Sequence, residues 1–235
     1  MNDVFLKVLN AIQGNQSVVL VGGQCLLVWA IHYESQGHKN LQVATEDIDI
    51  LGTKETVQNL ERILNTRATI PKFDDATPEI GVLRVPIGQN QKLTIDVLST
   101  IAGLSKHDVE KYSATLKIRG MSINVLNPVG MLKSRMANVI TLRRTNQHSL
   151  QQLKASTKIV GHFVQSLLEQ GYRYARRDIN DILHLAEHRE GVALYKNFDI
   201  DILEFIPKKH KNYPDGFVDR HLKACFTRIE RKRKT

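Results

Sequence analysis

Hydrophobic and polar positions follow one pattern in the first half of the chain and another in the second half. In the first half, short runs of apolar and β-branched residues are typical of strands, and some of them alternate with polar residues. These runs predict strands at 17–21, 45–52, 81–86 and 93–98, and a hairpin with strands at 116–118 and 122–126. Apolar residues at helical spacing predict helices at 24–34 and 54–65.

After Asn127 and Pro128 the pattern is helical to the end of the chain. Asn is a favoured N-cap residue and Pro suits the first helical turn, so a helix is expected to begin there. Apolar stripes predict further helices at about 149–169, 173–188 and 192–205, and a last helix from about 214. The whole pattern predicts an α+β fold, with a mixed β-sheet and flanking helices in residues 1–126 and a helical domain in residues 127–235.

Two carboxylates lie on one face of the strand predicted at 45–52. Asp47 and Asp49 alternate with Ile48 and Ile50, and residues two apart in a strand point to the same side of the sheet. Two neighbouring carboxylates repel each other unless a cation lies between them, and hard oxygen ligands suit Mg²⁺. The alternative is a merely solvent-exposed polar face. We favour a metal site, because the pair lies at the end of a strand where α/β proteins usually bind ligands.

A third carboxylate, Asp96, interrupts the apolar strand predicted at 93–98. Asp is disfavoured in strands and is rarely buried without a partner. A metal shared with Asp47 and Asp49 would explain its position. The alternative is an Asp at a strand end that is held by a nearby Lys or backbone amide.

Gly22 and Gly23 separate the first strand from the first predicted helix of this half. Small residues at such a turn let a ligand approach the backbone, and the free N–H groups of a helix N-terminus can hold a phosphate. The signal is weak by itself, because glycine pairs end many strands.

These segments together resemble the nucleotidyltransferase superfamily. The resemblance lies in Val-Leu-Val-Gly-Gly-Gln at 19–24, Thr-Glu-Asp-Ile-Asp-Ile-Leu at 45–51 and Ile-Asp-Val-Leu at 95–98, in that order. More narrowly, the chain is similar to the abortive-infection nucleotidyltransferase toxins of the AbiEii-like kind. In those toxins a Gly-Gly turn, a Thr-x-Asp-x-Asp strand and a third acidic strand precede a helical half.

The resemblance implies a nucleotidyltransferase-type fold and the transfer of an NMP from an NTP to a hydroxyl acceptor by a two-metal mechanism. It implies Mg²⁺ or Mn²⁺ held by Asp47, Asp49 and Asp96, which would be the catalytic residues. The residues that it implies for nucleotide binding are Gly22, Gly23, Thr45, Lys133, Asp178 and Asp181. Read from the residues alone, Lys133 can equally be an exposed helix lysine, and the last two aspartates can be structural.

The positive charge of the chain is concentrated at one end. The net charge is +9, and residues 208–235 contribute ten Lys or Arg against three Asp or Glu. A local basic surface favours a polyanionic partner such as RNA. The expected acceptor is therefore RNA, with the 3′ end of tRNA as one candidate, although a protein hydroxyl or a small molecule stays open. The bland alternative is a solvated tail.

Two further expectations concern partners and function class. The resemblance to toxins implies an antitoxin protein as a partner. The competing class is a non-catalytic module that keeps the fold and binds NTP or RNA. The presence of all three carboxylates argues against that class.

The composition indicates the cellular compartment in which the protein is expected. No apolar run approaches the roughly 18 residues that span a bilayer, and the first ten residues do not form a signal peptide, so a cytoplasmic protein is expected. Cys25 and Cys225 are expected to be buried thiols. Trp29 is expected in the core rather than as a stacking platform.

Two other chemistries are considered and set aside. His184-Leu-Ala-Glu-His188 matches the inverted zinc-protease pattern, but the chain has nine histidines and little sequence beyond this point for a third ligand. A dinucleotide-binding fold needs G-x-G-x-x-G, whereas Gly22 and Gly23 are followed by Gln, Cys and two Leu.

Overall fold

The structure is a computed structural model of the chain. It describes residues 3–37, 45, 47–72, 74–88 and 91–234. The sequence also predicts a loop at Gly37, His38 and Asn40, of which the last two fall outside the described residues. The chain divides into two compact units, residues 1–131 and 132–235, and each is described by itself. The predicted domain boundary at 126–127 falls at the end of the last strand, slightly before this division.

A six-stranded mixed sheet forms the centre of the first unit. Its strands, in chain order, are β1 Val19–Val21, β2 Asp47–Leu51, β3 Glu79–Pro86, β4 Lys92–Leu98, β5 Ser113–Ile118 and β6 Met121–Leu126. Their order across the sheet is β3-β4-β2-β1-β6-β5. The pairs β2–β4 and β1–β6 are parallel, and the other three pairs are antiparallel. The predicted mixed sheet is therefore confirmed.

The two faces of this sheet differ in polarity. Alternation along the strands puts fully buried side chains on one face, among them Leu20, Ile48, Ile50, Leu83 and Ile95. Four helices flank the sheet: α1 Asp3–Ile12, α2 Gly22–Glu34, α3 Lys54–Leu64 and α4 Lys106–Tyr112. Helices α1 and α3 pack against each other and against the sheet. The opposite face carries the carboxylates.

Trp29 and Cys25 of α2 belong to the core, as expected. Trp29 is 4% exposed, and its Nε1 donates a hydrogen bond of 2.7 Å to the carbonyl oxygen of Leu126. Both cysteines, Cys25 and Cys225, are buried free thiols. These contacts fix α2 against the end of β6.

The hairpin β5–β6 is confirmed, and its turn uses two left-handed residues. Arg119 has φ +49° and Gly120 has φ +83°, which matches a two-residue turn with positive φ at both central positions.

Helices make up the second unit, as predicted. They are α5 Pro128–Ile140, which begins before the division between the units, α6 Gln147–Gln170, α7 Tyr172–Glu187, α8 Arg189–Phe198 and α9 Lys223–Lys234. A π-helical turn, Phe217–Leu222, leads directly into α9. Helix α7 packs against α6, α8 and α9. The predicted N-cap of α5 is confirmed, since Asn127 Oδ1 accepts a hydrogen bond of 3.0 Å from the Gly130 amide.

One predicted helix is too long. The stripe at 192–205 predicted a continuous helix, but α8 ends at Phe198 and Asp199 has φ +52°. Asp tolerates the left-handed region better than most residues. The side chain of Asp201 then accepts a hydrogen bond of 2.9 Å from the Leu203 amide, which stabilises a turn.

Within the described residues, no helix is both long and apolar enough to cross a membrane.

Candidate active site

Strand pairing brings the three predicted metal-binding aspartates to one face of the sheet. Strands β2 and β4 are parallel and in register, with Asp49 opposite Asp96 and Asp47 opposite Thr94. Residues opposite each other in a ladder, and residues two apart in one strand, share a face. Asp47, Asp49 and Asp96 therefore lie on the same side, although 40 residues of chain, 52–91, separate the end of β2 from the start of β4.

The glycine turn and the carboxylates, predicted from separate segments, are in direct contact. Val21, the last residue of β1, pairs with Asp49, and Gly22 follows it. A Cβ atom placed on Gly22 would lie 1.7 Å from Asp49 Oδ2, and Gly22 has φ +64°. Only glycine satisfies both the contact and the left-handed backbone. The Asp49 carboxylate thus lies against the backbone at the start of α2.

The first turn of α2 has no side-chain cap. The N-cap residue is Val21, whose side chain cannot accept a hydrogen bond from the helix amides. The side chain of Gln24, in the same turn, is 6% exposed, and its Oε1 accepts no hydrogen bond from the described part of the chain. The helix N-terminus suits a bound anionic group, whereas the unpartnered Gln24 oxygen, an acceptor, suits a cation or a hydrogen-bond donor.

Negative charge accumulates around Asp96. Burial is the largest cause that raises the pKa of this carboxyl, and the negative charges of Asp49, Glu79 and Asp47 add to it, so that the pKa rises from its ordinary 3.8 to about 6. The positive charge of Arg84 acts in the opposite direction. A group of carboxylates that disfavours its own full ionisation is stabilised by a cation.

The donor set fits Mg²⁺ in chemistry, since all three predicted ligands are carboxylates on one face. Asp47 is exposed, whereas Asp49 and Asp96 are half-buried. In the part of the chain that the structure describes, no three His, Cys, Asp or Glu side chains are already gathered at metal-binding distances. A cation would have to draw the three carboxylates together by side-chain rotation. Metal binding therefore stays a prediction.

Two charged residues of β3 were missed in the sequence. Strand β3 pairs with β4, with Val82 opposite Asp96 and Arg84 opposite Thr94, so Arg84 shares the carboxylate face. Glu79, at the start of β3, adds its negative charge to the field at Asp96. The available signal was the polar Arg84 in an otherwise apolar strand, but its meaning depends on the pairing with β4.

Of the other predicted nucleotide-binding residues, Thr45 lies two residues before Asp47, and the rest belong to helices later in the chain. Thr45 precedes β2, and its hydroxyl donates a hydrogen bond of 3.2 Å to the Asp47 carbonyl oxygen. Lys133 is half-buried in α5. In α7, Asp178 is buried and lies 3.4 Å from Arg177 Nη2, and Asp181 is half-buried. Contacts of these residues with a nucleotide stay predictions.

The zinc-protease pattern has another use in this fold. His184 and His188 are exposed on α7 and beyond its end. Glu187 accepts ion pairs from Arg228 Nη2 at 2.6 Å and Lys232 Nζ at 3.0 Å, and these bonds lower its pKa. The central acid of the pattern thus joins α7 to α9.

Comparison with known proteins gives a backbone likeness only. No protein-family model matches the chain, and no curated protein is significantly similar to it in sequence. A proposed nucleotidyltransferase from Thermotoga maritima is 18% identical, with a TM-score of 0.38, over 60% of this chain and 83% of that chain. JHP933 from Helicobacter pylori is 11% identical, with a TM-score of 0.45, over 98% of this chain and 89% of that chain.

A third solved structure is similar to a comparable degree. It is an antigenic nucleotidyltransferase-like protein from Paracoccidioides brasiliensis, 10% identical, with a TM-score of 0.38, over 75% of this chain and 82% of that chain. At such identities and TM-scores, the chemistry of this chain has to be inferred from its own side chains.

Proposed function

We propose that the chain is a metal-dependent nucleotidyltransferase that moves an NMP from an NTP to a hydroxyl acceptor. The observation that carries the proposal is the contact between Gly22 and Asp49, with Asp96 opposite Asp49 in the neighbouring strand. This contact puts the N-terminus of α2, whose N-cap residue Val21 provides no capping side chain, beside a cluster of carboxylates. A phosphate ester with its cation would use both features, because the helix N-terminus suits the phosphate and the carboxylates suit the cation.

The backbone at the start of α2 would bind the phosphates. The amides of Gly22 and Gly23 precede the first helical hydrogen bonds, so they can donate to phosphate oxygens at the positive end of the helix dipole. Gly23 has no hydroxyl, and these contacts would therefore come from the backbone alone. Lys133 would neutralise further charge on the phosphates.

Asp47, Asp49 and Asp96 would hold the divalent cations. When bound, Mg²⁺ supplies charge neutralisation on the phosphates and activation of the acceptor hydroxyl. The raised pKa of Asp96 shows that its surroundings disfavour an isolated negative charge. The same surroundings favour a positive ion between the three carboxylates.

The bond changes assign a second role to Asp96. The acceptor oxygen forms a bond to the α-phosphorus while the bond from that phosphorus to the pyrophosphate oxygen breaks. The hydroxyl proton passes to a carboxylate oxygen of Asp96.

RNA is the acceptor that we propose first, with the 3′ end of tRNA as its preferred site. The support is the basic end of the chain, where residues 208–235 carry most of the net charge. An AbiEii-like toxin role, with an antitoxin protein as partner, is part of the same proposal and rests on the sequence resemblance alone.

The proposal is tested by label transfer from each α-labelled NTP, with Mg²⁺, into total RNA and into protein. Asp49→Ala serves as the inactive variant, and Asp74→Ala, at an exposed acid outside the strands of the sheet, serves as the matched control. We expect label in RNA with the wild type and the control, and none with Asp49→Ala. Label in protein alone would replace RNA by a protein hydroxyl. Equal labelling by Asp49→Ala and wild type would refute the assigned site.

A further inference from the structure

A groove of about 670 Å³ runs along the C-terminal helix α9 and the π-helical turn before it. Val218, Leu222 and Phe226 form its apolar floor. Five cations line it: Lys208, Lys209, Lys223, Arg231 and Lys234. All five cationic residues are exposed. The groove thus combines an aromatic floor with positively charged walls.

The floor is a single row because its residues recur every four positions across two kinds of helix. Val218 and Leu222 lie in the π-helical turn Phe217–Leu222, and Phe226 follows one turn later in α9. A row of residues four apart rotates in one direction around an α-helix and in the other direction around a π-helix, which has more residues per turn. The two rotations oppose each other, so the three side chains stay on one side of the combined helix. π-helical turns are rare in proteins, and those that occur are often found at functional sites.

The cations of α9 fall into two groups. Arg228 and Lys232 pair with Glu187, and Arg233 pairs with Asp201, so these three bind the helix to its own unit. Lys223, Arg231 and Lys234 line the groove. They span about 16 Å of helix, at 1.5 Å per residue. Lys208 and Lys209 line the same groove.

The acids of the groove do not cancel this charge. Asp219 and Glu230 are the acidic residues in its lining. Glu230 is already paired with Arg233 at 3.1 Å. The lining thus has three more positive than negative charges, and a cation lies at the edge of its aromatic floor, with Lys208 Nζ 5.9 Å from the centre of the Phe226 ring.

We propose that this groove is a docking site for single-stranded RNA, with phosphates on the Lys and Arg walls and a base on Phe226. Positively charged grooves with aromatic side chains are the usual means of holding a single strand without sequence preference. An acidic amphipathic helix would need a longer apolar stripe than three side chains, and here the cations outnumber the apolar residues. The lining of the groove includes no residue of β2 or β4, and RNA binding to it does not require the proposed catalysis.

The test is equilibrium binding of a fluorescent 12-nucleotide oligouridylate to the full chain, without NTP or metal, at several salt concentrations. The groove variant is Lys223→Gln, Arg231→Gln, Lys234→Gln. The matched control, Lys154→Gln, Lys158→Gln, Lys196→Gln, removes the same charge from exposed lysines of α6 and α8. Phe226→Leu tests the aromatic floor, and Phe226→Tyr keeps the ring. Thermal unfolding confirms that each variant is folded.

We expect the groove variant to bind at least tenfold more weakly than the control variant. Its salt slope should fall by about 2, at roughly 0.7 for each lost phosphate contact on a single strand. Phe226→Leu should weaken binding about fivefold or more, and Phe226→Tyr should not. Equal losses in the groove and control variants would overturn the proposal, as would binding of a polyglutamate peptide with no binding of the oligonucleotide.

This binding test and the transfer test fail independently. Asp49→Ala should bind the oligouridylate as tightly as the wild type does, because the carboxylate site takes no part in docking. RNA binding without label transfer would refute the nucleotidyltransferase and leave the docking groove in place. Label transfer by the wild type, together with unchanged RNA binding by the groove variant, would support the nucleotidyltransferase and refute the docking groove.

Discussion

At the scale of single residues, the candidate active site depends on one close contact between a backbone and a carboxylate. Gly22 combines φ +64° with an Asp49 oxygen in the space that a side chain would occupy. Every other L-residue at this position would meet both a strained backbone and a steric clash. The contact explains why a glycine must lie where β1 passes into α2.

Gly22→Ala should therefore damage the site more than the fold. We expect the free energy of unfolding to fall by about 1–3 kcal/mol from the left-handed backbone and the clash. We expect transfer activity to fall by about 100-fold, because the Asp49 carboxylate must move. Gly88→Ala is the control, since a Cβ there meets nothing within 4 Å. An active Gly22→Ala enzyme would show that the contact has no functional role.

The raised pKa of Asp96 predicts a stability that falls as pH rises. The folded state holds this proton up to a pH of about 6, whereas the unfolded chain loses it near 3.8. The folded state therefore binds more protons between these values, and the free energy of unfolding decreases with pH across that window. Above it, the ionised carboxylate remains a cost when no metal is bound.

Asp96→Asn should consequently stabilise the metal-free protein at pH 7.5 while abolishing transfer. The gain is on the order of 1 kcal/mol, because the half-buried carboxylate is partly screened by solvent. Urea unfolding in EDTA at pH 4 and pH 7.5 measures it, and the variant should differ from wild type mainly at the higher pH. A variant that is less stable than wild type at pH 7.5 would contradict the charge repulsion at this site.

The carboxylates were predictable from the sequence, and their neighbours were not. Asp47 and Asp49 follow the period of a strand, and Asp96 stands out within an apolar run, so local pattern was sufficient. Arg84 acquires its meaning only from the register between β3 and β4. Gln24 acquires its meaning only from its burial. Register and burial are long-range properties that a local pattern does not contain.

At the scale of elements, ion pairs hold the C-terminal helix in place, and one of them involves a buried arginine. The side chain of Arg233 is 4% exposed, and its guanidinium bonds to both oxygens of Asp201. The same guanidinium lies 4.0 Å from the centre of the Tyr195 ring in α8. The basic end is therefore a packed helix on one side, and the alternative of a wholly solvated tail is wrong for α9.

Arg233→Gln should loosen this attachment. Loss of the guanidinium leaves the Asp201 carboxylate without its bidentate partner and removes the contact with Tyr195. We expect the free energy of unfolding to fall by about 2 kcal/mol, since Asp201 is partly accessible to water. Chemical denaturation measures the change, with the exposed Arg189→Gln as control. An equal effect of both substitutions would argue against the ion pair.

Long, strongly patterned elements were predicted well, and short or charged ones were not. Helix α1 was missed although Phe5, Val8, Leu9 and Ile12 have helical spacing and are buried. Helix α4 has seven residues, and its start at Ser105 depends on a capping box with Asp108. The excess length given to α8 ignored Asp199, whose left-handed backbone ends it. Caps and single backbone conformations decide boundaries that apolar periodicity leaves open.

At the scale of the whole molecule, the chain separates its charges along the sequence. The carboxylate face belongs to strands of the first unit, whereas the basic end belongs to the last helix of the second unit. Negative groups that need a cation and positive groups that attract a polyanion are thus carried by different parts of one chain. An enzyme that joins a metal-bound triphosphate to a nucleic acid requires both.

The most direct test of nucleotidyl transfer is the fate of the α- and γ-phosphates of one NTP in parallel reactions of the wild-type chain with Mg²⁺ and RNA. The bond changes proposed for this site predict that the α-label becomes attached to the acceptor and that the γ-label leaves as pyrophosphate. Both products should disappear together in Asp49→Ala. Transfer of the γ-label to the acceptor, or its release as orthophosphate with no α-label bound, would contradict the account.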